Sequence, residues 1–137
     1  MRFMTIVKFE ESQSVTPPQS LFEAVDQLNK DAAKEGCVMV GKGGLLPTDE
    51  GVRIKLARGS VTVIDGPFTE SKEIIGGYAI FEVETKSQII EWTKRFMDLH
   101  KQHMPGWEGE TEIRQMFGDG NEPCGSAVKP QAAEATA

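Results

Sequence analysis

The sequence has few of the residues that mark metal centres, disulfide scaffolds and membrane spans. It contains two cysteines and two histidines among 137 residues. Cys37 lies in an apolar stretch, which suits a small buried side chain, and Cys124 lies in a polar stretch. No zinc-type ligand spacing surrounds either cysteine. The longest apolar runs, such as 61–64, are far shorter than the roughly 20 residues that cross a bilayer. We therefore expect no metal, no cofactor and no membrane span.

Positive charge is also scarce. The chain has 15 Lys and Arg against 21 Asp and Glu, for a net charge of −6. Phosphate backbones and anionic lipids are bound by concentrated basic residues, so neither nucleic acid nor a membrane is an expected partner. The opening residues 1–7 are mostly apolar, but Lys8 and two glutamates follow directly. This pattern does not fit a secretory signal, and a cytoplasmic location is expected.

The overall composition is typical of one globular domain. The hydrophobic fraction is 39% and the charged fraction 26%, and the length suits a single domain. From 118 to 137 the chain is rich in Gly, Pro, Ala and Glu. We predict an ordered domain over 1–117 and a mobile, low-complexity tail over 118–137.

Apolar periodicity predicts two helices and six strands. Alternating patterns indicate strands at 3–9, 37–40, 52–56, 61–64, 78–83 and 113–117. Stripes at helical spacing indicate helices at about 20–35 and from 85 to 99 or 100. This order is typical of an α+β, ferredoxin-like antiparallel sheet with two helices on one face.

Local signals refine these elements. Thr85 and Gln88 form a capping box for the second helix, whereas the first helix begins at a cap on either Thr16 or Ser20. The segment 41–44 has three glycines and is expected to interrupt the second strand. The segment 58–60 is a tight connection between the third and fourth strands, which makes them a hairpin, and the alternation in 52–56 predicts a half-buried strand.

The apolar pattern also bears on assembly. The first and fifth predicted strands carry apolar residues on both faces, although two helices can cover only one face of the sheet. The second face then needs another partner, and a copy of the same chain is the simplest one. We predict a homodimer in which the sheets pack face to face.

The run Asp65-Gly66-Pro67-Phe68-Thr69-Glu70-Ser71-Lys72-Glu73, followed by Ile74-Ile75-Gly76-Gly77-Tyr78, resembles the signature of the YCII-related family, in the branch named after its DGPF segment. The opening strand and the segments 40–45, 91–92 and 112–114 are similar too, so the resemblance covers about 1–117. It implies a dimeric α+β barrel. The frequent association of DGPF proteins with alternative sigma factors implies a regulatory or accessory role.

The wider YCII-related group also implies an activity, since a His and an Asp facing a cleft have been proposed there as a catalytic pair, and one branch acts on chlorinated aromatic substrates. The His of that pair lies in the first helix. In this sequence the predicted first helix contains no His, so the pair is not carried over to this chain.

Three residues are candidates for proton transfer. Asp65 is either a cap for its turn or, facing a cleft, an acid or base. His100 and His103 are three residues apart on the second helix, where either one is a partner for Asp65 or part of an exposed helix end. Two histidines at this spacing can also bind a metal, but such a site needs a third ligand. Glu108 or Glu110 could supply it, although the sequence does not fix the position of either.

Four further residues are candidates for ligand contact. Phe68 either lines a pocket or packs in the core, while Glu70 and Glu73 lie at a cleft mouth or in a solvated loop. Tyr78 opens a predicted strand, and its hydroxyl needs a partner. Two functions remain open: a small-molecule-binding or regulatory domain, which the sequence favours, and a cofactor-free enzyme in which Asp65 and a His act on a small organic substrate. A purely structural partner domain is a third.

Overall fold

A computed structural model describes residues 1–68 and 73–118 of the chain. The helices and strands, in chain order, are β1 Arg2–Phe9, α1 Gln19–Lys34, β2 Val38–Gly44, β3 Val52–Ala57, β4 Ser60–Asp65, β5 Ile74–Glu82, α2 Lys86–His103 and β6 Glu110–Gln115, with single 3-10 turns at Glu11–Gln13 and Thr48–Glu50. The expected tail beyond 118 lies outside the described residues and stays a prediction.

The strands form two sheets. A four-stranded antiparallel sheet has the order β2-β5-β1-β6, and β3 pairs only with β4 in a separate two-stranded sheet. The four-stranded order, with α1 after β1 and α2 after β5, is the ferredoxin-like arrangement. The predicted α+β class and ferredoxin-like sheet are therefore confirmed, with the β3–β4 hairpin inserted between β2 and β5.

The core lies between the four-stranded sheet and the two helices. Phe3 on β1 is paired with Phe81 on β5, and both rings are buried against Ile89 and Trp92 of α2. The centroids of the Phe81 and Trp92 rings are 4.4 Å apart. The Trp92 indole N–H donates to Asn29 Oδ1 at 3.0 Å, which joins the two helices beside the core.

The ends of the helices follow the sequence signals in part. The Thr85–Gln88 capping box is present, as predicted, but α2 continues to His103, past the predicted end. The expected caps on Thr16 and Ser20 are wrong, because α1 begins after Pro18 without a side-chain cap. The Ser20 hydroxyl instead lies 2.9 Å from His103 Nδ1.

Three strands differ from their predicted bounds by more than one residue. β5 begins at Ile74, four residues before its predicted start at 78, because its pairing with β1 extends to Phe9. β2 runs on through its glycines to Gly44, with an irregularity between Met39 and Gly41 where the register with β5 shifts. The predicted interruption is wrong because the glycines of 41–44 pair with β5. β6 begins three residues before its predicted start at Ile113, since its pairing with β1 extends to Glu110.

The hairpin is confirmed, but its predicted burial is wrong. Arg58 and Gly59 connect β3 to β4 with φ values of 53° and 79°, the positive φ values that favour tight hairpin turns. Ile54 and Leu56 of β3 are 70% and 72% exposed. The alternation identified the apolar side correctly, but no element within 1–68 and 73–118 covers it.

None of the helices in the described ranges has the length and apolar character required to cross a membrane.

Replacing Thr85 by Ala should destabilise the fold by about 1 kcal/mol, because the orphan N–H of Gln88 loses its side-chain acceptor. Urea unfolding followed by circular dichroism measures the change. Ser87→Ala lies in the same first turn without serving as the cap and is the matched control. Equal stability of the two variants would show that the cap contributes nothing.

Candidate functional site

A cleft opens between the helix-covered face of the sheet and the two helices. It has two lobes of about 680 and 390 Å³. The lining that both lobes share consists of Val7, Pro17, Phe22, Gly44, Gly77 and His100. The shared lining makes the two lobes parts of one site.

The walls of the cleft are largely apolar. The larger lobe is bounded by the connections 13–17 and 44–47 and by Trp107. The smaller lobe reaches inward to Trp92 and Phe96. Within the described residues neither lining includes an Asp or Glu, and Lys42 and His100 contribute charged or titratable side chains from the helix-covered face.

His100 sits where the lobes meet, and its protonation state follows from its contacts. Its Nδ1 lies 2.9 Å from the Phe96 carbonyl oxygen, which can only accept, so Nδ1 carries a proton and donates it. Burial lowers the pKa of His100, and the Phe96 bond opposes that shift. The neutral ring then has its lone pair on Nε2. Aromatic contacts at 4.5 Å to Phe96 and 5.1 Å to Trp107 hold the ring in place.

His103 has a different environment although it is one turn away. Its Nδ1 is 2.9 Å from Ser20 Oγ, which ties the end of α2 to the start of α1. It lines a neighbouring cavity of about 370 Å³, whose walls include Met104 and Trp107 of the larger lobe. In the described part of the chain no group of three His, Cys, Asp or Glu side chains is placed to hold a metal. The two histidines therefore have different hydrogen-bond partners, although their cavities share part of a wall.

Asp65 lies in the inserted hairpin, at the end of β4 opposite Val52, and is exposed. The turn after it is held by the Gly66 N–H, which donates to the Gly51 carbonyl at 2.8 Å. A Cβ on Gly66 would collide with the Thr48 carbonyl oxygen. The hydrogen bonds and ion pairs found among the described residues do not join Asp65 to His100 or His103, so that pairing stays a prediction.

A carboxylate that the sequence analysis missed holds this turn against the domain. Glu11 accepts the Thr48 N–H at 2.8 Å and the Thr48 hydroxyl at 2.8 and 3.1 Å through its two oxygens. The Thr48 hydroxyl in turn lies 3.5 Å from the Phe68 N–H. Glu11 and Thr48 border the two connections that wall the larger lobe, so their contact positions both the signature turn and the mouth of the cleft.

The predicted ligand contacts are dispersed. Phe68 is half-buried, with the Arg53 guanidinium 4.5 Å above its ring. Tyr78 contributes to the smaller lobe, but it alternates with the buried Gly77 and Ala79, and its ring lies over Gly43. The ring is therefore on the face opposite the helices.

The two glutamates of the signature run complete the set. Glu73 is exposed and, after Glu112 and Glu110, helps to raise the pKa of Lys8. Glu70 lies outside the described residues. Of the predicted site residues, the structure places the His100 side chain in the cleft. Tyr78 borders the smaller lobe but directs its ring to the other face of the sheet, and Asp65, Phe68 and Glu73 do not line either lobe.

The fold and cleft together define a ferredoxin-like α+β domain with an apolar pocket between sheet and helices. The YCII-related domain matches residues 1–97, and the chain belongs to this family. The branch named after the DGPF segment is compatible with the match and stays a prediction. None of the curated proteins matches the chain.

The lowered pKa of His100 should produce a pH-dependent loss of stability. In the unfolded chain His100 binds a proton near its ordinary pKa of 6.5, whereas the folded chain binds it only at lower pH. Between those two values the unfolded state holds more protons, so stability falls as pH drops below about 6.5 and levels off below the folded pKa. Urea unfolding from pH 7.5 to 4.5 should show this component in the native chain and lose it in His100→Gln. An identical pH profile for both proteins would contradict it.

Removing the Glu11 carboxylate should release the signature turn. In Glu11→Ala the Thr48 N–H and hydroxyl lose a charged acceptor, and we expect a loss of about 1.5 kcal/mol. Amide hydrogen exchange at Thr48 and Phe68 should accelerate, while exchange at Phe81 in the core changes only with global stability. Glu10→Ala is the neighbouring control. If both variants leave the exchange of Thr48 unchanged, Glu11 does not hold the turn.

Proposed function

We propose that this protein binds a small, mostly apolar organic molecule in the cleft between the sheet and the helices. The observation that carries the proposal is the presence of His100, with a fixed ring orientation, in the shared lining of two apolar lobes. Apolar walls supply affinity by removing ligand surface from water, and a few fixed polar groups set its orientation.

The dimensions of the cleft support this proposal. Each lobe falls within the roughly 300–1,000 Å³ typical of small-molecule pockets. Phe22, Phe96 and Trp107 offer aromatic surface, and His100 Nε2 is an acceptor for one hydroxyl or amine of the ligand. Asn29 Oδ1 already accepts the Trp92 N–H, and we assign His100 Nε2 as the acceptor for the ligand because its ring is held in place by Phe96 and Trp107.

A regulatory or accessory role fits a ligand held in this place. The two lobes are lined by residues of β1, β2, β5, α1 and α2, so one molecule would contact most of the domain. A ligand that binds only the folded state stabilises it by mass action. We also propose that the working unit is a homodimer, because the sheet face away from the helices carries Met4, Ile6 and Ile80, which neither α1 nor α2 covers.

A cofactor-free enzyme is the second candidate, and the same histidine favours it. A neutral imidazole with its lone pair on Nε2, in apolar surroundings, suits a general base that takes a proton from a small organic substrate. In this alternative His100 is the catalytic residue. The participation of Asp65 or His103 stays a prediction from the sequence.

Ligand binding is tested by a thermal-shift screen of small aromatic and aliphatic compounds. A true ligand at one hundred times its Kd should stabilise the folded state by about 2.7 kcal/mol. In His100→Gln the affinity should fall about fivefold to tenfold through the lost hydrogen bond. The control Lys101→Gln, on the next residue of α2 and exposed, should bind as the native chain does.

Asp65→Asn distinguishes the cleft from the signature turn. Because Asp65 does not line either lobe, the variant should bind the same compounds with unchanged affinity. If a compound loses affinity in Asp65→Asn but binds His100→Gln as it binds the native chain, the binding site is at the signature turn and not in the cleft. A screen in which no compound stabilises the native chain would count against the proposed function.

A further inference from the structure

One lysine supplies the formal charge in the lining of the cleft. Among the described residues of the two linings, Lys42 is the only Lys or Arg, and no Asp or Glu is present. The ion pairs formed within the described part of the chain do not include Lys42 either. Since the whole chain has a net charge of −6, a positive group in a largely apolar lining does not follow from the overall composition.

The pairing of β2 with β5 shows which way Lys42 faces. Lys42 is paired with Ala79, which belongs to the core beneath the helices. Met39 is paired with Phe81 of the same core. Residues of a strand alternate between its two faces, so in a regular strand Lys42, three positions after Met39, would face away from the helices. The irregularity between Met39 and Gly41 inserts one extra residue, which returns Lys42 to the helix-covered face.

A second irregularity of the sheet also borders the cleft. β1 and β5 shift register between Val7 and Lys8, where Gly76 of β5 is the extra residue. Val7 and Gly76 both line the larger lobe. Such β-bulges redirect side chains and occur with high frequency next to active sites. The bulge in β2 therefore has the position and the effect expected of one that directs a lysine into a binding site.

The sheet beneath the cleft carries little side-chain bulk beside Lys42. Gly44 of β2 is paired with Gly77 of β5, and both glycines line both lobes. A Cβ on Gly44 would meet nothing within 4 Å, so the space above this residue is open. Lys42 and Gly44 are two residues apart on one face of the strand, a distance of about 7 Å. A ligand that lies over the glycines is therefore within reach of the Lys42 side chain.

The charge of the lining favours a ligand with one negative charge. A lysine ammonium donates charge-assisted hydrogen bonds to a carboxylate, and these are stronger than bonds between neutral groups. A cationic ligand would be repelled by Lys42 and would meet no carboxylate among the described lining residues. A phosphate monoester has a charge of about −1.5 to −2 near neutral pH and would need a second cation, which the described lining does not offer. A monovalent carboxylate matches the single lysine.

We propose that the ligand of the cleft is a small organic acid, with its carboxylate on the Lys42 ammonium and its apolar body in the smaller lobe against Trp92 and Phe96. The acid occupies the same cleft and so depends on the proposed function, to which it adds the chemical class of the ligand. His100 Nε2 then accepts a hydroxyl of the acid in preference to an amine, because Lys42 repels a second cation in this lining.

Matched pairs of acids and neutral amides test the class of ligand. The probes are benzoate, phenylacetate and 3-(4-hydroxyphenyl)propanoate, each with its primary amide, titrated by calorimetry at low salt. The native chain should bind at least one acid about threefold to tenfold more tightly than its amide, which lies between the effects of an exposed ion pair and of a charged hydrogen bond. In Lys42→Gln the preference for the acid should disappear, and in Lys42→Arg, which keeps the charge, it should persist.

Two further variants serve as controls. Lys55→Gln removes the same charge from an exposed lysine of β3 that lines neither lobe, and it should bind the acid as the native chain does. Gly44→Val fills the open space above the sheet, and it should weaken the acid and its amide alike by at least about tenfold. The backbone of Gly44 does not have a positive φ, so valine is not strained there, and circular dichroism checks that the fold is retained.

The results that would overturn the proposal are distinct from those that would overturn the proposed function. Equal affinity for acid and amide, with both lost in Gly44→Val, would leave binding in the cleft intact and reject the organic acid. A preference for the acid that persists in Lys42→Gln would reject the role of Lys42. If none of the three acids binds at millimolar concentration, the class of ligand is wrong. Affinity that is unchanged in Gly44→Val would place binding outside the cleft and contradict the proposed function as well.

Discussion

Two helices can cover only one face of a four-stranded sheet, and most features of this molecule depend on that constraint. The covered face holds the aromatic core, in which Phe3, Phe81 and Trp92 are buried together. The two-lobed cleft lies on the same side, between the sheet and the helices, and the connections 13–17 and 44–47 line its larger lobe. The opposite face is covered by neither helix, and Met4, Ile6 and Ile80 on it are only half-buried. Core, cleft and uncovered face therefore share a single geometric origin.

The sequence predicted the elements of this fold because each has its own periodicity. Helical spacing around Trp92 reports which side of α2 is apolar, and the structure buries that side as expected. Alternation in 52–56 was equally clear but does not say what lies opposite the apolar side. The hairpin is therefore formed as predicted and exposed contrary to prediction, since burial depends on neighbours that periodicity does not encode.

The candidate site was much less accessible to sequence reasoning. His100 was recognised as a histidine at the end of a helix, but its proton on Nδ1 is set by the Phe96 carbonyl, and its burial by Trp107 from a later loop. The contact of Glu11 with Thr48 joins residues 37 positions apart in two irregular segments. No sequence motif predicts a contact between two such residues. Local sequence patterns predict individual helices and strands. The walls of the larger lobe are formed by two connections that meet only in the folded chain, so these patterns do not predict them.

The position of the hairpin in the chain has one more consequence. β2 and β5 are antiparallel neighbours, with Gly44 opposite Gly77 at the end where the chain leaves the sheet. A connection of a few residues would be long enough to join them, yet the chain uses 45–73 for that purpose. The ferredoxin-like framework does not require this insertion. A change in the contacts of this insertion therefore leaves the pairing of the four framework strands unaltered.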